Sequence, residues 1–346
     1  MPASVRIVDP DEIPEWDQLL KGFPASTFFH SREWAGILRS TYGFLPRYLL
    51  LGTVAEPRAL LPLMRVDSWL TGRRGVGLPF SDECAPLSVD DASLREIVDE
   101  ARRLALKDQW RYLEIRGGLQ TLEGVRPSTV FHGHELPLVS DENRLFNGLA
   151  PSARRAVRKA GAEGVEVAVH HSEDAMAELL HLLAQTRKRH GVPQQPDAFF
   201  RNIFKTMIRE RKGCLVIARK ERRPISAGLF LEHGKRTLYK FGGSDLRFQQ
   251  YRGSNLVMWK AISDYASRGF TSFDFGRTSL GNEGLRSFKR SWGANERTIS
   301  YFRQDCRSSS WTTVADRSSN RLTPLFRNLP VPVSRVIGAL LYRHVA

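Results

Sequence analysis

The feature that most constrains this chain is one order of secondary-structure signals that occurs twice. In the first half, strand-like runs at Tyr48–Thr53, Ala59–Val66 and Val76–Phe80 precede a helical pattern. There Leu94, Ile97, Val98, Ala101 and Leu104 share one face. The run Tyr112–Arg116 follows and is stopped by Gly117-Gly118. In the second half, Cys214–Arg219 and Ile225–Glu232 are joined by a turn containing Arg223-Pro224, and Arg236–Phe241 follows His233-Gly234. These three runs predict an antiparallel meander. A helix from about Asn255 to Arg268 comes next, with Gly269 just past its end, and the alternating strand Thr271–Phe275 stops at Gly276. Both halves thus run β-β-β-α-β, and each closing strand carries a carboxylate at its middle, Glu114 and Asp274. The halves share little residue identity, so what repeats is the pattern of elements.

The expected fold class is therefore α/β (α+β), with two tandem domains over residues 1–145 and 146–304, each a mixed sheet flanked by helices. Its 346 residues suffice for two cores. A helix is expected from Glu173 to His190: Ser172 caps it, Met176, Leu179, Leu180 and Leu183 form its apolar stripe, and Gly191 and Pro193 end it. Asp305–Pro324, with Ser308-Ser309-Ser310 and Ser318-Ser319, is expected to be a linker. Beyond it Val336, Ile337, Leu340 and Leu341, flanked by Arg335 and Arg343, predict an apolar and basic helix. Segment 305–346 is expected to dock that helix on the first domain, with a membrane surface as the alternative.

Composition narrows the function classes. No apolar run approaches the roughly 20 residues of a spanning helix, and the N-terminus shows no signal-peptide core, so a cytoplasmic location is expected. Cys84, Cys214 and Cys306 lack ligand or disulfide spacing, so neither a metal nor a disulfide framework is expected. His132-Gly133-His134 and His170-His171 are expected to be satisfied or exposed rather than ligating. The formal charge of +15 favours polyanionic partners. Its clusters are Arg154, Arg155, Arg158 and Lys159, then Arg187-Lys188-Arg189-His190, the latter also complementing a helix C-terminus. No Walker A sequence or Gly-x-Ser-x-Gly elbow is present.

Two segments carry chemistry. In Arg247–Asn255, a glycine beside a helix start lets backbone N–H groups approach a phosphate, so Gln250, Gly253, Ser254 and Asn255 are cofactor-binding candidates. In Phe273–Ala294, a strand is followed by Arg277 and Lys289. Acyl transfer creates a tetrahedral oxyanion that a fixed cation stabilises. Lys289 and Arg277 are suitable cations, with Asp274 orienting one of them or the incoming amine. The structural alternative is an Asp274–Arg277 pair with Lys289 solvated.

Asp274-Phe275-Gly276-Arg277-Thr278 followed by Phe288-Lys289-Arg290-Ser291-Trp292-Gly293 resembles the C-terminal signature of FemAB-like proteins and the related BioF2-like acetyltransferase domain. That family belongs to the GNAT (acyl-CoA N-acyltransferase) superfamily and includes relatives encoded in exopolysaccharide and exosortase loci. The resemblance extends to Phe29–Trp34, to Leu78-Pro79-Phe80-Ser81-Asp82, to Arg154–Ala160 and to Arg189-His190-Gly191-Val192-Pro193. Gln250-x-x-Gly253 resembles the GNAT pyrophosphate loop, with Asn255 standing where that loop has a small residue. The resemblance implies two GNAT-like domains and transfer of an amino acid from aminoacyl-tRNA to a peptidoglycan precursor. It places Lys289 at transition-state stabilisation and Phe288 beside the substrate, with Asp82 near the cleft. Arg286, Tyr239, Arg154, Arg158 and His190 complete the substrate-binding candidates. Neither a paired-helix tRNA arm nor the family's N-terminal substrate lysine is evident; Leu38 and Arg39 follow Trp34.

Three functions stay open from sequence. The first is a FemAB-like acyl or aminoacyl transferase acting on an amine or hydroxyl of a cell-wall or polysaccharide precursor. The second is a coenzyme A-dependent N- or O-acetyltransferase. The third is a catalytically silent polyanion- or membrane-binding factor. No tightly bound cofactor is expected, since aminoacyl-tRNA or acyl-CoA is a donor substrate. Expected partners are an anionic or lipid-linked sugar precursor, with tRNA and the inner membrane surface as further candidates and DNA excluded.

Overall fold

In the computed structural model, which describes residues 4–314 and 323–344, the chain packs as two units. The first runs to Phe131 and resumes at Thr298 and again at Leu340. The second comprises His132–Arg297 and the segment ending at Ala339.

The first unit opens with β1 (Val5–Val8), α1 (Trp16–Lys21), α2 (Arg32–Tyr42), β2 (Leu45–Pro46), β3 (Tyr48–Gly52) and β4 (Pro57–Leu61). Then come β5 (Met64–Val66), β6 (Arg74–Val76), β7 (Leu87–Ser88), α3 (Asp91–Lys107) and β8 (Tyr112–Arg116). The expected strand Ala59–Val66 is two strands in different sheets. β4 pairs with β3 and β7, whereas β5 pairs with β2 and β6. The break falls at Pro62, which has no N–H to give to a ladder. The expected strand Val76–Phe80 ends at Val76; beyond it Leu78 and Phe80 take left-handed φ values of 43° and 62°. That turn is held by Ser81 Oγ donating to the Leu78 carbonyl (2.6 Å). α3 is capped by Asp90, whose carboxylate accepts from Ser93 N. Its face of Leu94, Ile97, Val98 and Ala101 packs on Leu49, Leu51, Ala59, Leu61, Leu113 and Ile115.

β9 (Thr129–Pro137) crosses from the first unit into the second. The second unit continues with α4 (Glu142–Gly148), α5 (Pro151–Ala162), β10 (Glu166–His170), α6 (Glu173–His190) and α7 (Asp197–Ile203). Its repeat is β11 (Gly213–Lys220), β12 (Arg223–His233), β13 (Arg236–Ser244), α8 (Gly253–Ser267) and β14 (Ser272–Ser279). α9 (Glu283–Arg290), β15 (Asn295–Asp305), α10 (Thr323–Asn328) and α11 (Val331–Leu341) follow. β11, β12 and β13 form the expected meander, though Arg223 and Pro224 belong to β12 and the turn is at Glu221-Arg222. The strands lie in the order β10-β11-β12-β13-β14-β9.

In both repeats the strand after the helix pairs in parallel with a strand that precedes the helix, β6 in the first (with the short β7 between) and β13 in the second. β8 pairs with β6 through Gly75↔Leu113, and β14 pairs with β13 through Thr237↔Phe273. A helix must cross over to make such a pairing, which is what α3 and α8 do. β14 does not stop at Gly276 as expected: it runs on to Ser279 with Gly276 as a kink at φ 68°. α6 has the expected ends, Ser172 Oγ accepting from Ala175 N and Gly191 at φ 64°. Its buried side is Ala175, Met176, Leu179, Leu182 and Leu183.

Part of the expected linker is ordered. The Asp305 carboxylate accepts from Arg307 N and Ser308 N, and Trp311 bridges to Gln304. Ser318-Ser319 lie outside the described residues. α11 lays Gly338 against the Gln194 carbonyl of the second unit, and α10 packs on α6. No described helix is long and apolar enough to cross a membrane.

Candidate active site

α9 buries one residue fully, and it is a lysine. Lys289 is 3% exposed, on a helix started by Asn282, whose Oδ1 accepts from Leu285 N. A lysine is buried at a cost unless its ammonium finds acceptors. Lys289 Nζ donates to the carbonyls of Gly276 (2.8 Å) and Arg277 (3.0 Å). Those carbonyls are presented by the β14 kink, which glycine permits through its positive φ. Asp274 Oδ1 fixes the same kink by accepting from Gly276 N (2.6 Å). Lys289, Asp274 and Arg277 therefore meet at one bend of β14, with Lys289 buried and the Arg277 side chain exposed.

Beside Lys289 lies a charge network. Arg286 forks onto Glu296, Nε to Oε2 and Nη2 to Oε1, both 2.8 Å. This pairing pulls the Glu296 carboxyl down to about 2. Glu296 also meets His134 Nε2 (3.1 Å) and His132 Nδ1 (3.5 Å). His134 is wholly buried and its Nδ1 has no hydrogen-bond partner among the described residues. Burial holds its pKa below the usual histidine value, aided by the Lys289 charge and opposed by Glu296. The expectation that these histidines are satisfied describes what Glu296 does, apart from that one nitrogen. Among the described residues no His, Cys, Asp and Glu cluster could hold a metal.

A cavity of about 260 Å³ opens at the start of α8, lined by Gly253, Ser254, Asn255, Arg252, Arg189 and Phe288 among others. Asn255 N and Leu256 N donate to the Arg252 carbonyl, leaving Gly253 and Ser254 as the open donors of the first turn. Ser254 Oγ bonds to Ser226 Oγ (2.9 Å), which seats the helix start on β12. A cavity with two arginines at a helix N-terminus suits a phosphate-bearing ligand. Asp245 also lines it, but Arg247 holds that carboxylate through Nε (3.0 Å) and Nη2 (2.6 Å). Phe288 in the wall is the chain neighbour of Lys289.

The remaining candidates stand elsewhere. Gln250 is exposed and Gln249 lines the cavity in its place. His190 is exposed while its neighbour Arg189 lines the cavity. Arg158 stacks over Phe146 (5.3 Å), itself packed on Trp259, and Arg154 lies on the same helix, α5. Tyr239 packs on Phe230, and burial pushes its hydroxyl up to about 12. It flanks a bulge of β13, where Leu229 faces Phe241 and Phe230 faces Tyr239, so that Lys240 has no opposite residue. Asp82 belongs to the first unit, where its carbonyl accepts from Tyr301 Oη (2.8 Å). The cysteines are buried and free, and burial pushes Cys214 up to about 12 and Cys306 up to about 11. Sequence reasoning missed Glu296, Arg252 and the cavity role of Arg189. The one available signal was the His-x-His spacing, which puts two imidazoles on one strand face.

Residues 151–290 match a family model described as an acetyltransferase (GNAT) domain. Among solved structures, FemX superposes with a TM-score of 0.67 at 14% identity, covering 86% of this chain and 96% of that one. The C-terminal domain of a putative lysylphosphatidylglycerol synthetase from Agrobacterium fabrum gives 0.56 at 14%, covering 88% and 94%. A tandem GNAT protein from the clavulanic acid biosynthesis pathway gives 0.55 at 12%, covering 88% and 98%. These likenesses establish the fold. No curated protein matches the sequence.

Proposed function

We propose that this chain, an acyltransferase by its GNAT domain, moves an acyl or aminoacyl group onto an amine or hydroxyl of a cell-wall or polysaccharide precursor. The observation that carries the reading is Lys289: a buried ammonium fixed by two carbonyls, one residue from the wall of a cavity suited to phosphate. The acceptor nitrogen or oxygen attacks the donor carbonyl carbon, and the carbonyl oxygen becomes an oxyanion. Collapse breaks the bond to the donor's sulfur or ribose oxygen, and the acceptor's proton leaves with that group. A cation held in place before the reaction stabilises the oxyanion without reorganising. The precursor class rests on the FemAB-like motif at Asp274–Gly293 and on the overall charge of +15, which suits a phosphate-linked acceptor.

A coenzyme A thioester is the donor that the α8 cavity favours, because pyrophosphate matches the first turn together with Arg189 and Arg252. In GNAT enzymes it is a substrate and not a resident cofactor. Aminoacyl-tRNA is the second reading, favoured by the motif. Thermal shift with acetyl-CoA against charged tRNA decides between them; stabilisation by neither sinks both donors. For the chemistry, Lys289→Ala is expected to lose at least about a hundredfold in turnover. Lys289→Met keeps an unbranched stem and removes the ammonium with its charge and its hydrogen bonds to Gly276 and Arg277. If Lys289→Met folds and turns over like the parent, the assignment of Lys289 is wrong.

A further inference from the structure

α11 is built inside out. Its buried residues are Ser334 and Gly338, and Gly338 approaches so closely that an added Cβ would lie 2.0 Å from the Gln194 carbonyl oxygen. Three of its apolar residues face water, Val333 at 43% exposed, Val336 at 62% and Leu340 at 63%, while Ile337 and Leu341 are half-buried. At i, i+3 and i+7 the exposed three form one stripe. A helix that buries a serine and a glycine and offers three aliphatic residues to solvent in one stripe is shaped for an apolar partner outside the chain.

Charge identifies that partner. Between Thr323 and His344 there are three arginines, Arg327, Arg335 and Arg343, and no carboxylate, on a chain of net charge +15. A second copy packed two-fold on this stripe would set arginine against arginine. An anionic bilayer surface complements both features: acyl chains take the stripe and headgroups take the exposed Arg327 and Arg343. We propose that the α11 stripe docks this protein on an anionic lipid membrane as a helix lying in the interface. Eleven residues are too few to span one. The surface stands apart from the acyl-transfer reading, and it would hold the enzyme where a lipid-linked acceptor is found.

The test is sedimentation of the full chain with vesicles of phosphatidylcholine alone and of phosphatidylcholine with phosphatidylglycerol in equal parts. Binding is expected only to the mixed vesicles and should weaken with added salt. Val336→Glu and Leu340→Glu, both at exposed positions of the stripe, should each lower that binding at least about tenfold, with melting temperatures unchanged. Absence of binding to the mixed vesicles overturns the proposal, as does binding that both variants retain. A dimer in solution that Leu340→Glu dissociates also overturns it, in favour of a second copy. Activity on a soluble acceptor should survive both substitutions, so loss of docking and failure of the catalytic reading are told apart.

Discussion

Burial and the Lys289 ammonium both disfavour protonation of His134, while the Glu296 carboxylate favours it. The two charge effects can be separated by substitution. Lys289→Met removes one opposing charge, so the His134 pKa should rise toward the ordinary histidine value near 6.5. Glu296→Gln removes the supporting charge and should drive it lower. Imidazole proton shifts followed against pH by NMR give both directions. A His134 that titrates identically in the parent and in Lys289→Met would place the ammonium out of electrostatic reach. Residues of one type can look alike in sequence and differ in role. Glu114 and Asp274 both sit at the middle of a closing strand. Glu114 is buried between Arg116 (3.0 Å) and Arg303, with burial opposed by those two guanidinium groups, which hold its pKa below the usual value. Asp274 is half-buried and fastens a glycine kink. Strand position was legible; the partners were not, because Arg303 arrives from a strand 189 residues away.

At the scale of elements, legibility followed how local the cause is. α6 was readable because its cap, stripe and left-handed glycine are contiguous in sequence. The second meander was readable because short turns join neighbouring strands. The split of β4 from β5 and the run of β14 past Gly276 were not, since distant pairing strands decide both. The cavity was half legible: Gly253 and Ser254 come from one turn, while Arg189 is brought by α6. What holds α6 in place is a close backbone approach to β13. A Cβ on Gly243 would lie 2.5 Å from Leu182 C and Leu183 N, and Ser244 N donates to Thr186 Oγ1 (3.0 Å) beside it. Gly243→Ala is therefore expected to destabilise by about 1–3 kcal/mol, since backbone on both sides must move. Gly161, near the end of α5, has nothing within 4 Å of its Cβ position. There the same substitution should stabilise by about 0.5–1 kcal/mol through helix propensity. Denaturant midpoints of the two variants should move in opposite directions; a shift of the same sign in both would refute the close-contact account.

For the whole molecule, histidines that are buried beside cations set the pH dependence of stability near neutrality. Burial is the first cause that depresses His134, His170, His171 and His344. A cation follows in each case: Lys289, Arg219, Arg211 and Arg343 respectively. In the unfolded chain these imidazoles titrate near 6.5. Between that value and their lower folded values the unfolded chain binds more protons, so stability there rises with pH. The contribution is complete above about pH 7 and is lost as pH falls through 6.5 toward the folded values. Depressed carboxyls act lower on the scale: Glu296 near 2, with Asp90, Asp245, Asp305 and Glu114 below their usual values, keep their stabilisation until pH drops through about 4.5. Melting temperature should be level near neutrality, fall between about pH 6.5 and 5, and fall again below about 4.5. Salt should soften the part of the first fall that arises from exposed arginines, because their field is screened over about 10 Å at 0.1 M, and leave the burial part. Thermal unfolding from pH 4 to 8 at two ionic strengths checks this directly. A melting temperature that climbs as pH drops from 7 to 5.5 would mean the histidines gain protons on folding, and the account by burial beside cations would fail with it.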